Sequence, residues 1–592
     1  MQFRQRTHYA GTLRSANIGE KIVVNGWVDG NRDLGGLLFF DVRDRSGKLQ
    51  CVIEPTPATE MLYEEGRTLR SEFVVSVEGT LRQREKPNAK MPTGDVEMVV
   101  TALEILNASE VPPFEIKDEV TANEDLRLRY RYLDLRRTTL QQNLIARHKI
   151  CQSIRRYFDE RGFLEIETPV LMRATPEGAR DFLVPSRLHK GSFYALPQSP
   201  QLYKQILMVA GLDRYFQIVK CFRDEDLRAD RQPEFTQLDV EMSFPTEEIV
   251  YDVMENCLVR IWEDLGMKLP TPFQRLSYHE AMSRFGTDKP DLRYGLEIVT
   301  LTEFIRGKTE FAVFANALEK RKGTIGAVVA TGGAEWSRKQ IDTLTDHAKI
   351  YGAGGMVWIK VTNDGIDSSA KKFLSEELLK NIVAGSGAKP GDLICVISHQ
   401  DWERCYTILG ALRIELAKRL ELLKGKEKEF APAWVTNFPM FEEVGETGQF
   451  NSKHHPFTSP DLHDWKNKEH AGLGEIRARA YDIVLNGYEL GSGSIRIHDR
   501  SLQEEVFAML GLTPEQQEEK FGFLLQAFQY GTPPHGGMAL GIDRIAMIAC
   551  GTDNIRDVIA FPKTTSMQSL MDNAPSSIDV DQLKELHIQT IE

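Results

Sequence analysis

Phe222-Arg223-Asp224-Glu225, a polar loop with Arg228, Arg231 and Gln232, and then Phe235 heading an apolar run to Phe244 form the stretch that decides the fold. Two β-rich segments, 215–223 and 235–244, flank a charged loop, which is the pattern of an antiparallel hairpin. Side chains alternate along a strand, so Arg223 and Glu225 are expected on one face. A guanidinium fork suits a phosphate oxygen, a carboxylate suits an exocyclic amine, and an aromatic ring stacks on a base. Cross-strand ion pairs would use the same residues. Much further along, Gly541-Ile542-Asp543-Arg544 leads small residues into an apolar helix with an arginine near its start. An arginine there reaches a ring face or a terminal phosphate, or simply caps a core helix together with Asp543.

A second hairpin lies between these segments. Asn486-Gly487 is a strong two-residue turn. It sets Val484 opposite Glu489, so Asp482, two residues from Val484, shares a face with Glu489. Two carboxylates on one face repel unless a cation separates them, and Mg²⁺ bridging ATP phosphates is the natural candidate. A solvent-facing polar side is the alternative. Beyond it, Gly491-Ser492-Gly493-Ser494 permits close backbone approach, and Arg496 faces away from Ile495 and Ile497.

With 592 residues the chain is too long for one hydrophobic core. It is 41% hydrophobic and 27% charged, the balance of ordinary globular domains. No apolar run reaches the roughly 20 residues that cross a bilayer, and no apolar stretch follows Met1–Arg6 as in a secretory signal. Seven scattered cysteines without metal spacing fit a reducing compartment, so a cytoplasmic, membrane-free protein is expected. The net charge of −13 argues against a nonspecific nucleic-acid coat. A local basic face is still available in Arg127-Leu128-Arg129-Tyr130-Arg131-Tyr132 with Arg136-Arg137, readable as an RNA-facing hinge or as a solvated charge run.

The expected class is multidomain α+β. Short β segments at 22–28, 37–43, 49–53, 73–77 and 96–105 suit a five-stranded barrel of the oligonucleotide-binding kind over residues 1–110. A hinge follows at 111–138. A first catalytic part at 139–294 opens with a long helix ended by Gly162. Residues 295–427 change texture to glycine-rich mixed α/β, an inserted domain. The catalytic part resumes at 428–562, and 563–592 form a C-terminal extension.

Taken together, Gly162–Pro169, Phe222–Phe235 and Gly541–Arg544 resemble the three signature motifs of class II aminoacyl-tRNA synthetases. Thr175–Asp181, Gln198–Lys204 and His454–Thr458 resemble substrate loops of the bacterial, aspartate-specific branch of subclass IIb. The resemblance spans almost the whole chain. It implies a class II antiparallel sheet flanked by helices, ATP as substrate with Mg²⁺, and a homodimer through the Pro169 region. The implied activity is AMP-forming ligation of L-aspartate to aspartate tRNA, with a form that also serves asparagine tRNA as the alternative.

Residue by residue, the resemblance implies that Arg223 holds the α-phosphate and the aspartate carboxylate. Glu225 meets the adenine amine, and Phe235 and Arg544 take the two faces of adenine. Asp224, Gln232, Glu489, Gly541, Ile542 and Asp543 complete the ATP site, with Asp482 and Glu489 as metal ligands. Glu177, Gln201 and Asp239 surround the aspartate amino group, under His454 and His455. Lys204 and Arg496 grip the side-chain carboxylate, and asparagine would leave both cations uncompensated. In the barrel, Arg32, Leu34, Phe39, Gln50 and Glu97 match positions that meet the anticodon. The family's arginine run after Gly-Trp-Val is reduced here to Arg32, with Asp29, Gly30 and Asn31 before it. Leu34 resembles the form specific for aspartate tRNA.

Overall fold

In Lys21–Leu34 (β1) apolar side chains alternate, and Ile22, Val24 and Val28 are fully buried. This one-sided burial makes β1 half-core, half-surface. Leu37–Asp44 (β2), Gly47–Ile53 (β3), Val74–Gln83 (β4) and Val96–Asn107 (β5) join it in a closed barrel of order β1-β2-β3-β5-β4. A parallel pairing of β3 with β5, Cys51 opposite Met98, closes the ring. β1 runs on to Leu34, past the expected end at residue 28. Gly35 and Gly36 both take positive φ, 64° and 92°, and make the tight turn to Leu37. A register shift between Val28 and Gly30 skips Asp29, whose carboxylate takes Arg43 and Lys48, each at 2.5 Å.

The computed structural model describes residues 3–174, 179–226, 230–444 and 448–591. Glu177 and Arg228 lie outside the described residues. The chain divides into two units, Met1–Ile145 with Arg556–Ser577, and Ala146–Ile555 with Ile578–Glu592.

In the first unit Arg127, Arg131, Arg136 and Arg137 turn to protein partners rather than to RNA or solvent, which corrects the expectation for them, while Arg129 and Tyr132 stay exposed. Asp134, with no exposed surface, collects Arg131 at 2.8 Å, Arg137 at 3.0 Å and Arg127 at 3.7 Å. Arg131 also donates to the carbonyls of Arg556, Ile559 and Ala560, and Arg137 to those of Lys117 and Asp118. Arg136 pairs with Glu72 at 2.8 Å over the Trp27 ring. The physical reason is demand: unpaired carbonyls and a buried carboxylate are costly, and guanidinium forks satisfy several at once.

The second unit holds, among the described residues, an eight-stranded sheet. Its strands are Leu164–Glu165 (β6), Arg214–Phe222 (β7), Glu234–Ser243 (β8), Gln274–Ser277 (β9), Pro432–Thr436 (β10), Ala480–Leu485 (β11), Tyr488–Ile495 (β12) and His535–Gly541 (β13). They run in the order β9-β10-β11-β12-β13-β8-β7-β6, antiparallel except for the parallel edge pairs β9–β10 and β6–β7. Helix Glu247–Asp264 covers one face, where Tyr251 packs on Trp434 and Tyr481. A separate five-stranded sheet spans Val299–His399. On one side Val328 and Cys395 pack with Leu409 and Leu412 of the long helix Trp402–Arg419, and on the other Ile325 and Ile394 pack with Ile382 of helix Glu376–Ser386. Burial on both faces explains the near-continuous apolar run at Thr324–Ala330. Among the described residues no helix is long and apolar enough to cross a membrane.

Candidate active site

The uncovered face of the eight-stranded sheet forms a polar floor. Asp239 on β8 lies opposite Ala539 on β13, Ala539 opposite Ser492 on β12, and Ser492 opposite Asp482 on β11. Along the neighbouring row Glu241, Gly537 and Ser494 stand in line. Residues directly opposite share a face, so each row crosses the floor as one polar band. Gly537 is required by space: a Cβ there would lie 2.5 Å from Glu241 Oε2 and 2.0 Å from the Val240 carbonyl oxygen.

On this floor four buried charges interlock. Lys204, from helix Gln201–Val209, places Nζ 2.8 Å from Asp239 Oδ1 and 3.4 Å from Glu241 Oε2. Arg496 meets Glu241 with two hydrogen bonds, 3.0 Å from Nε and 3.1 Å from Nη2. Its Nη1 donates to Ser494 Oγ and His455 Nε2, both at 2.6 Å. A guanidinium only donates, and the Phe457 amide faces the other ring nitrogen, Nδ1, at 3.2 Å, so donors approach His455 from both sides. Burial alone would raise Glu241, yet Arg496 and Lys204 outweigh it and hold its carboxyl below the usual range. Burial and then Arg496 push His455 well below an ordinary imidazole. Burial, with Lys453 and Arg496, lowers His454 to about 4. Asp239 Oδ2 is buried with no hydrogen-bond partner among the described residues. An acceptor left open beside Lys204 suits a cationic ligand group, and the cations suit an anionic one.

Beside this centre a cleft of about 340 Å³ opens, large enough for a small ligand. Arg223, Glu225, Gln232, Phe235, Glu489 and Arg544 all line it. Arg223 lies beyond the end of β7, so strand alternation does not place it. Its amide bonds to the Pro233 carbonyl at 2.8 Å, and its guanidinium rests 5.2 Å from the Phe235 ring centroid. The buried Arg223 Nε has no partner. Arg544 donates to the Glu489 carbonyl and pairs with Asp230 at 3.2 Å, while Arg231 pairs with Glu225 at 2.7 Å.

Asp482, 6% exposed, does not itself line the cleft, but its cross-strand neighbour Ser492 does. The turn at Asn486-Gly487 pairs Val484 with Glu489 as expected, but a bulge then shifts the register so that Asp482 faces Ser492. Burial first, and then the Glu489 charge, push the Asp482 carboxyl well above its usual range. Its Oδ1 is buried without a partner among the described residues. Two carboxylates that repel each other, one with an orphaned oxygen, fit a divalent cation.

The remaining predicted residues fall in different places. Gln201 lines the cleft, donating to Gln205, which in turn meets His535. His454 lines it as well and bonds Ser492 at 3.1 Å. Gln198 ties the two substrate loops together through Asp181 and both backbone groups of Ala179. Asp224 turns away, bridged to Arg180, and Ile542 is core. Asp543 is 2% exposed: Arg147 and the Thr236 amide hold its carboxylate, which pins the helix bearing Arg544 onto β8. Sequence reading missed Glu241 and Arg147. Glu241 is two residues from Asp239 on one strand, so alternation was the available signal; nothing local marks Arg147.

In the first unit Gln50 donates to Glu97 at 2.7 Å and accepts from Arg84 at 2.8 Å, while Arg82 holds Glu97 at 2.9 Å. Arg32 reaches Gln50 at 3.4 Å, opposite the half-buried Phe39 in register, and Leu34 is exposed. Aromatic surface beside polar edges is the composition that receives unstacked bases.

Comparison with known proteins agrees with this geometry. Residues 123–565 match the model described as tRNA synthetases class II (D, K and N), and residues 22–106 match an OB-fold nucleic acid binding domain. An aspartate–tRNA(Asp/Asn) ligase of Caldanaerobacter subterraneus subsp. tengcongensis is 50% identical over 99% of this chain and 98% of its own length. An aspartate–tRNA ligase of Ruminiclostridium cellulolyticum is 50% identical with the same coverage. Among solved structures, asparaginyl-tRNA synthetase from Pyrococcus horikoshii superposes at a TM-score of 0.59 with 19% identity, covering 95% of this chain and 99% of that one, which speaks for the fold. With the second and third signature motifs converging on one cleft and relatives matching end to end, the chain belongs to the class II tRNA synthetases and, within them, to the aspartate–tRNA ligase family.

Proposed function

We propose that this protein activates L-aspartate with ATP, releasing pyrophosphate, and transfers the aspartyl group to the 3′ end of aspartate tRNA. The single observation that carries the reading is the buried Lys204–Asp239–Glu241–Arg496 centre. Its cations suit the side-chain carboxylate and the open Asp239 oxygen suits the amino group. Asparagine is nearly isosteric but brings no charge for Lys204 and Arg496, and lysine brings the wrong one.

In the first step an aspartate carboxylate oxygen attacks the α-phosphorus. A new oxygen–phosphorus bond forms, the α–β bridge bond breaks, and pyrophosphate leaves with the electron pair. Arg223 neutralises the phosphorus under attack, with its unpartnered Nε as a ready donor. Phe235 and Arg544 hold adenine between them, and Glu225 reads its amine. Asp482 and Glu489 would hold Mg²⁺, which when bound neutralises charge on the phosphates. In the second step the tRNA terminal hydroxyl takes the aspartyl group and AMP leaves. No covalent enzyme intermediate is needed, so catalysis is positioning and charge neutralisation. The anticodon is received by Phe39, Gln50 and Glu97. The protein acts in the cytoplasm as a homodimer joined through the Pro169 region.

A non-discriminating form is the second reading, favoured by relatives of equal identity whose names include both Asp and Asn tRNAs. Charging purified aspartate and asparagine tRNAs side by side tests both. Aspartylation of aspartate tRNA supports the assignment, failure on both tRNAs refutes it, and charging of both selects the second form.

A further inference from the structure

The cleft's cations are nearly all committed. Arg231 is paired with Glu225, Arg544 with Asp230, and Lys204 and Arg496 with Asp239 and Glu241. Arg223 is assigned to the α-phosphorus. One further cation lines the same cleft: Lys289, whose charge acts on the buried Asp482 carboxylate. It comes from a segment outside the three signature motifs, and its ammonium has no hydrogen-bond or salt-bridge partner among the described residues.

The backbone that carries Lys289 is held firmly. Helix Tyr278–Phe285 ends at Gly286, which takes φ 71° and packs against helix Trp402–Arg419. The approach is close enough that a Cβ on Gly410 would lie 2.4 Å from the Gly286 carbonyl oxygen. On the other side, Arg413 of that long helix, 1% exposed, donates to the carbonyls of Asp291 at 2.8 Å and Leu296 at 3.1 Å. It also donates to the Tyr294 hydroxyl at 3.2 Å and lies over the Tyr294 ring. Arg293 then closes on Asp291 at 2.7 Å. A lysine on a clamped backbone keeps a flexible stem, so its charge can follow a moving anion while its base stays fixed.

We propose that Lys289 binds the departing pyrophosphate half of ATP, with the long helix of the five-stranded sheet as the scaffold that presents it. The inference rests on the ATP-dependent reading above and adds a residue to it. Lys289 and Glu489 line the same cleft, and both act on Asp482, Glu489 by repulsion and Lys289 by countering its charge, so Lys289 offsets the repulsion that these carboxylates would exert on phosphate oxygens. It makes no bond to phosphorus and moves no proton; it neutralises charge that appears on the leaving group.

The test compares Lys289→Gln and Lys289→Arg with the unaltered protein. Calorimetry of ATP and AMP binding without aspartate separates the two halves of the nucleotide, because AMP lacks the leaving phosphates. For Lys289→Gln, ATP affinity is expected to fall about tenfold, the size of losing one charge-assisted contact, with AMP affinity unchanged. The KM for pyrophosphate in exchange should rise by a similar factor while the KM for aspartate stays put, and Lys289→Arg should restore most of both. Equal losses for ATP and AMP, or no loss for ATP, would overturn the proposal. If the unaltered protein showed no aspartate-dependent exchange, the functional reading itself would fail instead.

Discussion

Arg496→Leu separates what the buried charge centre does for folding from what it does for aspartate. Arg496 is 2% exposed and directs two hydrogen bonds to Glu241, one to Ser494 and one to His455. Without it, Glu241, which has no exposed surface, keeps only Lys204 at 3.4 Å as a cationic partner. Breaking a buried pair by removing one member costs about 3–5 kcal/mol, and the surviving lysine puts this case near the lower end. Aspartate use should fall by about 3 kcal/mol as well, a hundredfold or more in kcat/KM, because one of two side-chain cations is gone. The double variant Arg496→Leu/Glu241→Gln decides between the two effects. Neutralising the orphaned carboxylate should recover at least half of the lost stability and none of the lost aspartate use. Stability is read from tryptophan fluorescence in urea: every tryptophan but Trp27 lies in the second unit. Aspartate use is read from pyrophosphate exchange. A single variant less than about 1 kcal/mol destabilised would refute the burial argument. A double variant that regained aspartate use would refute the substrate role.

Three further outcomes follow from other residues. Asp482→Asn should stabilise the free protein by about 1 kcal/mol, since it removes a buried charge with an unpartnered oxygen, and abolish Mg²⁺-dependent exchange; a destabilised or still active variant would contradict the cation site. His454 is held neutral with its pKa lowered from 6.5 to about 4, so the unfolded chain binds its proton first. Its contribution to stability is therefore present above pH 6.5 and lost as pH falls toward 4, and His454→Phe should flatten the urea midpoint over that window; an unchanged pH profile would show that His454 is not the group responsible. Phe39→Ala should weaken tRNA charging and leave exchange intact, whereas equal losses in both assays would mean that the barrel had unfolded.

Much of this protein is written in its local patterns. Alternating apolar residues marked the barrel strands, Asn486-Gly487 marked the hairpin, and the motif arginines marked the nucleotide cleft, because period, turn chemistry and charge are properties of neighbours in sequence. Local rules fell short where partners come from afar. The bulge that sets Asp482 against Ser492, the gathering of Arg127, Arg131 and Arg137 around Asp134, and the use of Asp543 as an anchor for Arg147 all depend on which groups a fold must satisfy once water is excluded. The same holds at the centre of the site. The sequence by itself determined that two cations and a set of carboxylates exist, and from their types which reaction they suit. Only the tertiary structure decided that Glu241 ties Lys204 to Arg496 and that, among the described residues, Asp239 keeps one oxygen open and Lys289 lines the cleft unpaired. Charge compensation in a dry interior is a property of three-dimensional neighbours, and no spacing along the chain encodes it.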